Sequence, residues 1–147
     1  MAMAGPMLHA VQVEASEEVI YDAITTSKGL ASFWTRQSEA EPTVGSVAVF
    51  IFAGAPVDLK MRIDGLEPGK RVAWSCQGDF PHWAGTTVTW ELSPAVQGSG
   101  ITVLFRHEGW GADYPEMEYA HVNFVWGQVV GRLKAYCETG KPQPFLS

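Results

Sequence analysis

The sequence is poor in the features that would take it out of the ordinary globular class. It holds only two cysteines, Cys76 and Cys137. They lie far apart with no metal or redox spacing, so two free thiols in a reducing compartment are expected rather than a disulfide framework. Basic residues are scarce, 10 Lys and Arg against 16 Asp and Glu, for a net charge of −6. Nucleic-acid binding needs clustered Lys and Arg to displace counterions, and no cluster is present. An anionic membrane surface would repel such a chain. No apolar run nears the roughly 20 residues of a spanning helix. The first residues, 1–6, have neither a basic n-region nor an apolar h-region, so they do not read as a secretory signal. The expectation is a cytoplasmic protein with no nucleic-acid partner and no membrane insertion.

Chemical motifs are also missing. The sequence has no Gly-x-Ser-x-Gly elbow, P-loop or dinucleotide fingerprint. Its histidines, His9, His82, His107 and His121, are scattered, and no pair has ligand spacing. Neither a metal nor a cofactor is expected.

Aromatic residues are plentiful. They make up 12% of the 147 residues and include six Trp. Large rings dominate the energetics of cores and pockets, so the surplus points to an aromatic core or to a cavity lined by rings.

Periodicity divides the chain into elements. A first strand runs over Leu8 to Val13. Ser16 is placed to cap a helix that carries Val19, Ile20, Ala23 and Ile24, with Glu17 and Glu18 in the turn where the macrodipole favours acids. Ser27 is read as the cap of a shorter helix ending near Trp34. Five strand-length segments follow, Gly45 to Phe52, Val57 to Leu66, Arg71 to Gln77, Thr86 to Ser93 and Gly100 to His107. Short Gly- and Pro-containing turns separate them, which makes a meander of antiparallel neighbours. Alternation puts Leu59, Met61 and Ile63 on one face, together with Val72, Trp74 and Cys76, Val88, Trp90 and Leu92, and Val103, Phe105 and His107. The opposite face is mostly polar, so the sheet is covered on one side. The segment around Val47 to Phe52 is apolar on both faces and is expected to be doubly covered or to meet a partner chain. From Pro115 to Glu138, Tyr119, Val122, Trp126, Val129, Val130, Leu133 and Cys137 recur at three and four spacing. That stripe supplies the helix that covers the sheet.

Two stretches carry a resemblance. Val19-Ile20-Tyr21-Asp22-Ala23-Ile24-Thr25-Thr26 followed by Gly29-Leu30-Ala31-Ser32-Phe33-Trp34 is one. The tail from Trp126 through Leu133 to Gly140-Lys141-Pro142 is the other. In order and spacing they resemble the helix-grip domains of the START-like, or SRPBCC, superfamily. The nearer likeness is to the branch related to the C-terminal domain of the activator of the heat-shock protein 90 ATPase. The resemblance implies an α+β fold in which a curved antiparallel sheet wraps a long C-terminal helix, with two short helices after the first strand. It implies one domain over residues 8–142, with 1–7 and 143–147 as tails.

A helix laid across a curved sheet leaves room for a small-molecule cavity, and such cavities are mostly apolar with a few placed polar groups. The candidate ligand-binding residues are Trp34, Met61, Trp74, Trp90, Phe105 and Trp126 as apolar walls. His107, Tyr119 and Asn123 are the candidate polar handles. Trp110, between Gly109 and Gly111, and the loop with His82 and Trp83 are expected near an opening. The first functional reading is a binding protein for a small apolar or aromatic molecule. An enzyme like the polyketide cyclases is the second, with His107 moving protons. The third is a chaperone co-regulator or interaction module that contacts a partner or a second copy of itself, through Phe50 and Phe52 if these are exposed.

Overall fold

A computed structural model describes residues 4–146. Seven antiparallel strands form one sheet: β1 (Met7–Val13), β2 (Ser38–Glu39), β3 (Val47–Phe50), β4 (Leu59–Glu67), β5 (Arg71–Gln77), β6 (Thr87–Pro94) and β7 (Ile101–Glu108). Their order is β1-β7-β6-β5-β4-β3-β2, so β3 to β7 are a plain meander and β1 adds to its far edge. Helices α1 (Glu17–Thr25) and α2 (Ser27–Phe33) connect β1 to β2, and α3 (Glu116–Thr139) follows the sheet. The curved antiparallel sheet gripping a long terminal helix is the expected α+β helix-grip architecture.

Local chemistry sets the element ends. The Ser16 hydroxyl accepts from the Val19 N–H and caps α1, satisfying one of the amides that a helix start leaves unpaired. Thr26, not Ser27, caps α2, accepting from Gly29 N at 3.0 Å. Ser27 instead ties the helix to the following loop, its hydroxyl donating to Ala40 O and accepting from Ala40 N. Gly140 stops α3 in the left-handed conformation, φ 74°, with its N–H donated to Tyr136 O.

Alternation along the strands translates directly into burial. Leu59, Met61, Val72, Trp74, Cys76, Val88, Trp90, Val103, Phe105 and His107 are all buried on the face toward α3. The register sets Trp90 opposite Phe105 and Val88 opposite His107. A bulge between Ile63 and Gly65 leaves Asp64 without a partner on β5. Such an extra residue bends its strand and strengthens the twist. Cys76 and Cys137 are free thiols.

Three expectations are corrected. Phe50 is fully buried and Phe52 half-buried, while Val47 and Ile51 on the other face are exposed, so within the chain β3 is covered on one side, which corrects the double cover and leaves the partner alternative as it stood. Met7 is a buried residue of β1, not part of a tail; residues 1–3 lie outside the described residues. The C-terminal segment is docked: Gln143, Phe145 and Leu146 donate backbone N–H groups to Ser32, Phe33 and Trp34 carbonyls, and Leu146 O accepts from Arg36 N. Arg132 clamps it further, donating to the carbonyls of Gln143 and Pro144. Residue 147 is outside the described residues.

Candidate functional site

The space between sheet and helix is filled by rings. Trp126 of α3 lies 4.3 Å from Phe105, centroid to centroid, and Trp90 lies 4.9 Å from Phe105. Trp74 meets Trp90 edge-on at 5.8 Å. Trp74 and Trp90 keep indole N–H groups with no oxygen or nitrogen partner. Trp90 is surrounded edge-on by the rings of Phe33, Trp74, Phe105 and Trp126, and Trp74 packs among Trp34, Phe50 and Trp90. Trp74, Trp90 and Phe105, predicted as cavity walls, are therefore packed ring to ring, and Met61 is buried in the same core.

His107 is fully buried, in the inward phase expected for it. Trp126 Nε1 donates to its Nδ1 at 3.1 Å. That bond puts the imidazole proton on Nε2, which donates to Thr86 Oγ1 at 2.8 Å. Thr86 in turn donates to the Trp83 carbonyl at 2.6 Å. Burial pushes the His107 pKa down to about 3, because no charge compensates a desolvated imidazolium. Both ring nitrogens are bonded to neutral partners, so the tautomer is fixed and His107 ties β7 to α3 and to the Thr86 turn. Trp110, expected near an opening, is 0% exposed; its indole N–H donates to the His107 carbonyl and its ring stacks on Tyr114 at 4.5 Å. The two remaining handles lie toward β1. Tyr119 Oη donates to the Gly5 carbonyl at 2.9 Å, and Asn123 Oδ1 pairs with His9 Nε2 at 3.0 Å.

An open volume does exist, beside the packed interior rather than within it. A cleft of about 300 Å³ lies at the N-terminal half of α3. Five rings close a circuit around it: Trp34 to Phe52 at 5.7 Å, Phe52 to Phe80 at 5.9 Å, Phe80 to Trp83 at 5.1 Å, Trp83 to Trp126 at 6.1 Å, and Trp126 back to Trp34 at 4.8 Å. His121, Val122 and Val125 contribute from α3, and the docked Phe145 and Leu146 form a further wall. Here the helical stripe is only half-buried, Tyr119, Val122 and Val125 included, whereas Val129, Val130 and Leu133 one turn on are fully packed. Of the predicted site residues only Trp34 and Trp126 line this cleft.

The β5–β6 loop builds one side of the mouth. Successive turns, Trp83 N–H to Phe80 O and Thr86 N–H to Trp83 O, fold it back on itself. His82 takes a positive φ of 65° within it, an uncommon conformation for a residue with a side chain. The sequence marks Trp83 as a loop ring near an opening. Phe80, Phe145 and Leu146 escape periodicity because they sit in a turn and in the terminal segment, where a lone apolar residue gives no signal, whereas Phe52 continues the alternation of β3 just past its end.

The geometry of this domain has known counterparts. The profile of the family described as "Activator of Hsp90 ATPase homolog 1-like protein" matches residues 14–138. The chain belongs to that family. A solved Aha1 from Colwellia psychrerythraea, described as a dimer, is 32% identical over 94% of this chain and 99% of its own, with a TM-score of 0.82. DynU16, a protein of the dynemicin biosynthetic locus, is 25% identical over 97% of this chain and 50% of its own, with a TM-score of 0.74. A Staphylococcus saprophyticus protein shares the fold at 16% identity, covering 97% of each chain, with a TM-score of 0.73. A search of curated proteins finds no match. The activator-like family and its fold thus agree with the START-like resemblance in the sequence.

Proposed function

We propose that the protein binds small apolar or aromatic molecules in the five-ring cleft beside α3. The carrying observation is the closed aromatic circuit around about 300 Å³ of unfilled space. A volume of that size sits at the lower end of ligand pockets, which are apolar, concave and ring-lined. His107 is not among the residues that line the cleft, so simple binding is favoured over the cyclase-like alternative built on it. The test is uptake of N-phenyl-1-naphthylamine, a neutral probe that brightens in apolar sites. Val125→Phe, which fills the cleft from the half-buried side of α3, is expected to weaken uptake about tenfold or more. Lys60→Ala, exposed on β4, is expected to leave it unchanged. Equal uptake by the Val125→Phe variant overturns the reading.

Self-association is the second reading, favoured by the dimer described for the Colwellia psychrerythraea relative. The residues suited to it are not Phe50 and Phe52 but Met117 and Phe124, 82% and 67% exposed on α3. Isolated large apolar groups on a surface are ordinary, whereas grouped ones mark contacts. Sedimentation of wild type against Phe124→Ser decides it: a dimer that dissociates on substitution supports the reading, and a monomeric wild type refutes it.

A further inference from the structure

We propose that the recess adjoining the cleft is a site for an organic ammonium group, so that the preferred ligands are cations with an apolar body. This rests on the cleft reading and extends it. The recess is an open depression of about 420 Å³ that shares Phe80, Trp83, His121 and Val122 with the cleft, so one molecule can span both. Phe80, Trp83 and Tyr114 bring three aromatic rings to its lining, and Met117 adds a polarizable thioether. The rings are held rigidly, Phe80 against Trp83 at 5.1 Å and Tyr114 stacked on the buried Trp110. Glu118 supplies a carboxylate to the same lining, and His82 Nε2 stands 3.9 Å from its Oε2.

Charge decides the ligand class. Among the described residues no Lys or Arg lines either the cleft or the recess. A carboxylate or sulfonate entering there would find no Lys or Arg partner and would face the like charge of Glu118. An alkylated ammonium group placed against these rings is attracted by their quadrupoles and by the Glu118 carboxylate, the interactions by which aromatic cages hold such cations. The net charge of −6 adds a weaker attraction of the same sign.

The test titrates ¹⁵N-labelled protein with benzyltrimethylammonium and with neopentylbenzene, its uncharged carbon isostere, following the Trp83 indole and Tyr114 amide signals. The cation is expected to bind about tenfold more tightly than the isostere. In Glu118→Gln that ratio is expected to fall about threefold. Glu91→Gln, an equal charge change on the outer face of β6, should leave it intact. Equal binding of the two compounds, an unaltered ratio in Glu118→Gln, or an equal fall in Glu91→Gln overturns the proposal. N-phenyl-1-naphthylamine uptake separates the two levels: uptake without cation preference sinks the ammonium site and leaves the cleft reading standing, whereas no uptake by wild type sinks both.

Discussion

Acidification should destabilise this protein through His107 before its carboxylates begin to titrate. The folded imidazole stays neutral down to about pH 3, while in the unfolded chain it titrates at the ordinary histidine value of 6.5. Between those values the unfolded state holds the extra proton, so stability rises with pH and is lost as pH falls through that window. From pH 7 to pH 5 the loss is about 2 kcal/mol, on the scale of 1.36 kcal/mol per pKa unit. Glu138, whose pKa is lowered by bonds from the Glu14 N–H and the Lys134 ammonium, adds to the pH dependence only below the ordinary carboxylate value of 4.5. Its stabilisation is present above that value and is lost as pH falls through the depressed folded pKa, outside the pH 7 to 5 interval. Urea unfolding followed by Trp fluorescence at both pH values measures the His107 effect. His107→Gln is less stable at pH 7 but lacks the titration, so its deficit relative to wild type should narrow by about 2 kcal/mol at pH 5. A deficit that does not narrow, or a His107 ring signal that titrates near 6.5 in the folded protein, refutes the reasoning.

Two further changes probe the packing. Trp126→Ala removes the ring that joins Phe105, Trp34 and His107 Nδ1; thermal unfolding should report a loss of about 3–5 kcal/mol, and a loss below about 1 kcal/mol would mean that the interior is not close-packed there. Gly29→Ala would drive a Cβ into the backbone of Ala23 where α1 and α2 meet, so it should destabilise by more than the roughly 1 kcal/mol of an ordinary helix substitution, measured by the same melts.

Much of the fold was legible because burial follows simple periods. Leu59, Met61 and Ile63 alternate with Lys60, Arg62 and Asp64, and a one-residue slip would have turned the whole set outward. The stripe on α3 and the Ser16 cap were equally direct. The candidate site was less legible. The phase of Phe105 and His107 places both inward, but phase does not tell whether an inward ring meets a ligand or another ring. Here the Trp126 and Thr86 bonds to His107 decide it. The cleft walls come from places with no period at all, a turn holding Phe80 and Trp83 and a terminal segment holding Phe145 and Leu146. The docking of that segment rests largely on backbone hydrogen bonds to 32–36, which leave no pattern in the side chains, with Arg132 adding its clamp from α3. Phe50 and Phe52 misled for a related reason: with apolar residues on both faces of the strand, alternation cannot say which face is covered.

The most direct measurement is where a bound probe casts its ring-current shifts. With N-phenyl-1-naphthylamine added to methyl-labelled protein, the Val122 and Val125 methyls at the cleft should move while those of Val72 and Val88, sealed under the packed rings, stay in place. Shifts at Val72 and Val88 with Val122 and Val125 unmoved would show the ligand entering between sheet and helix, and would contradict the account.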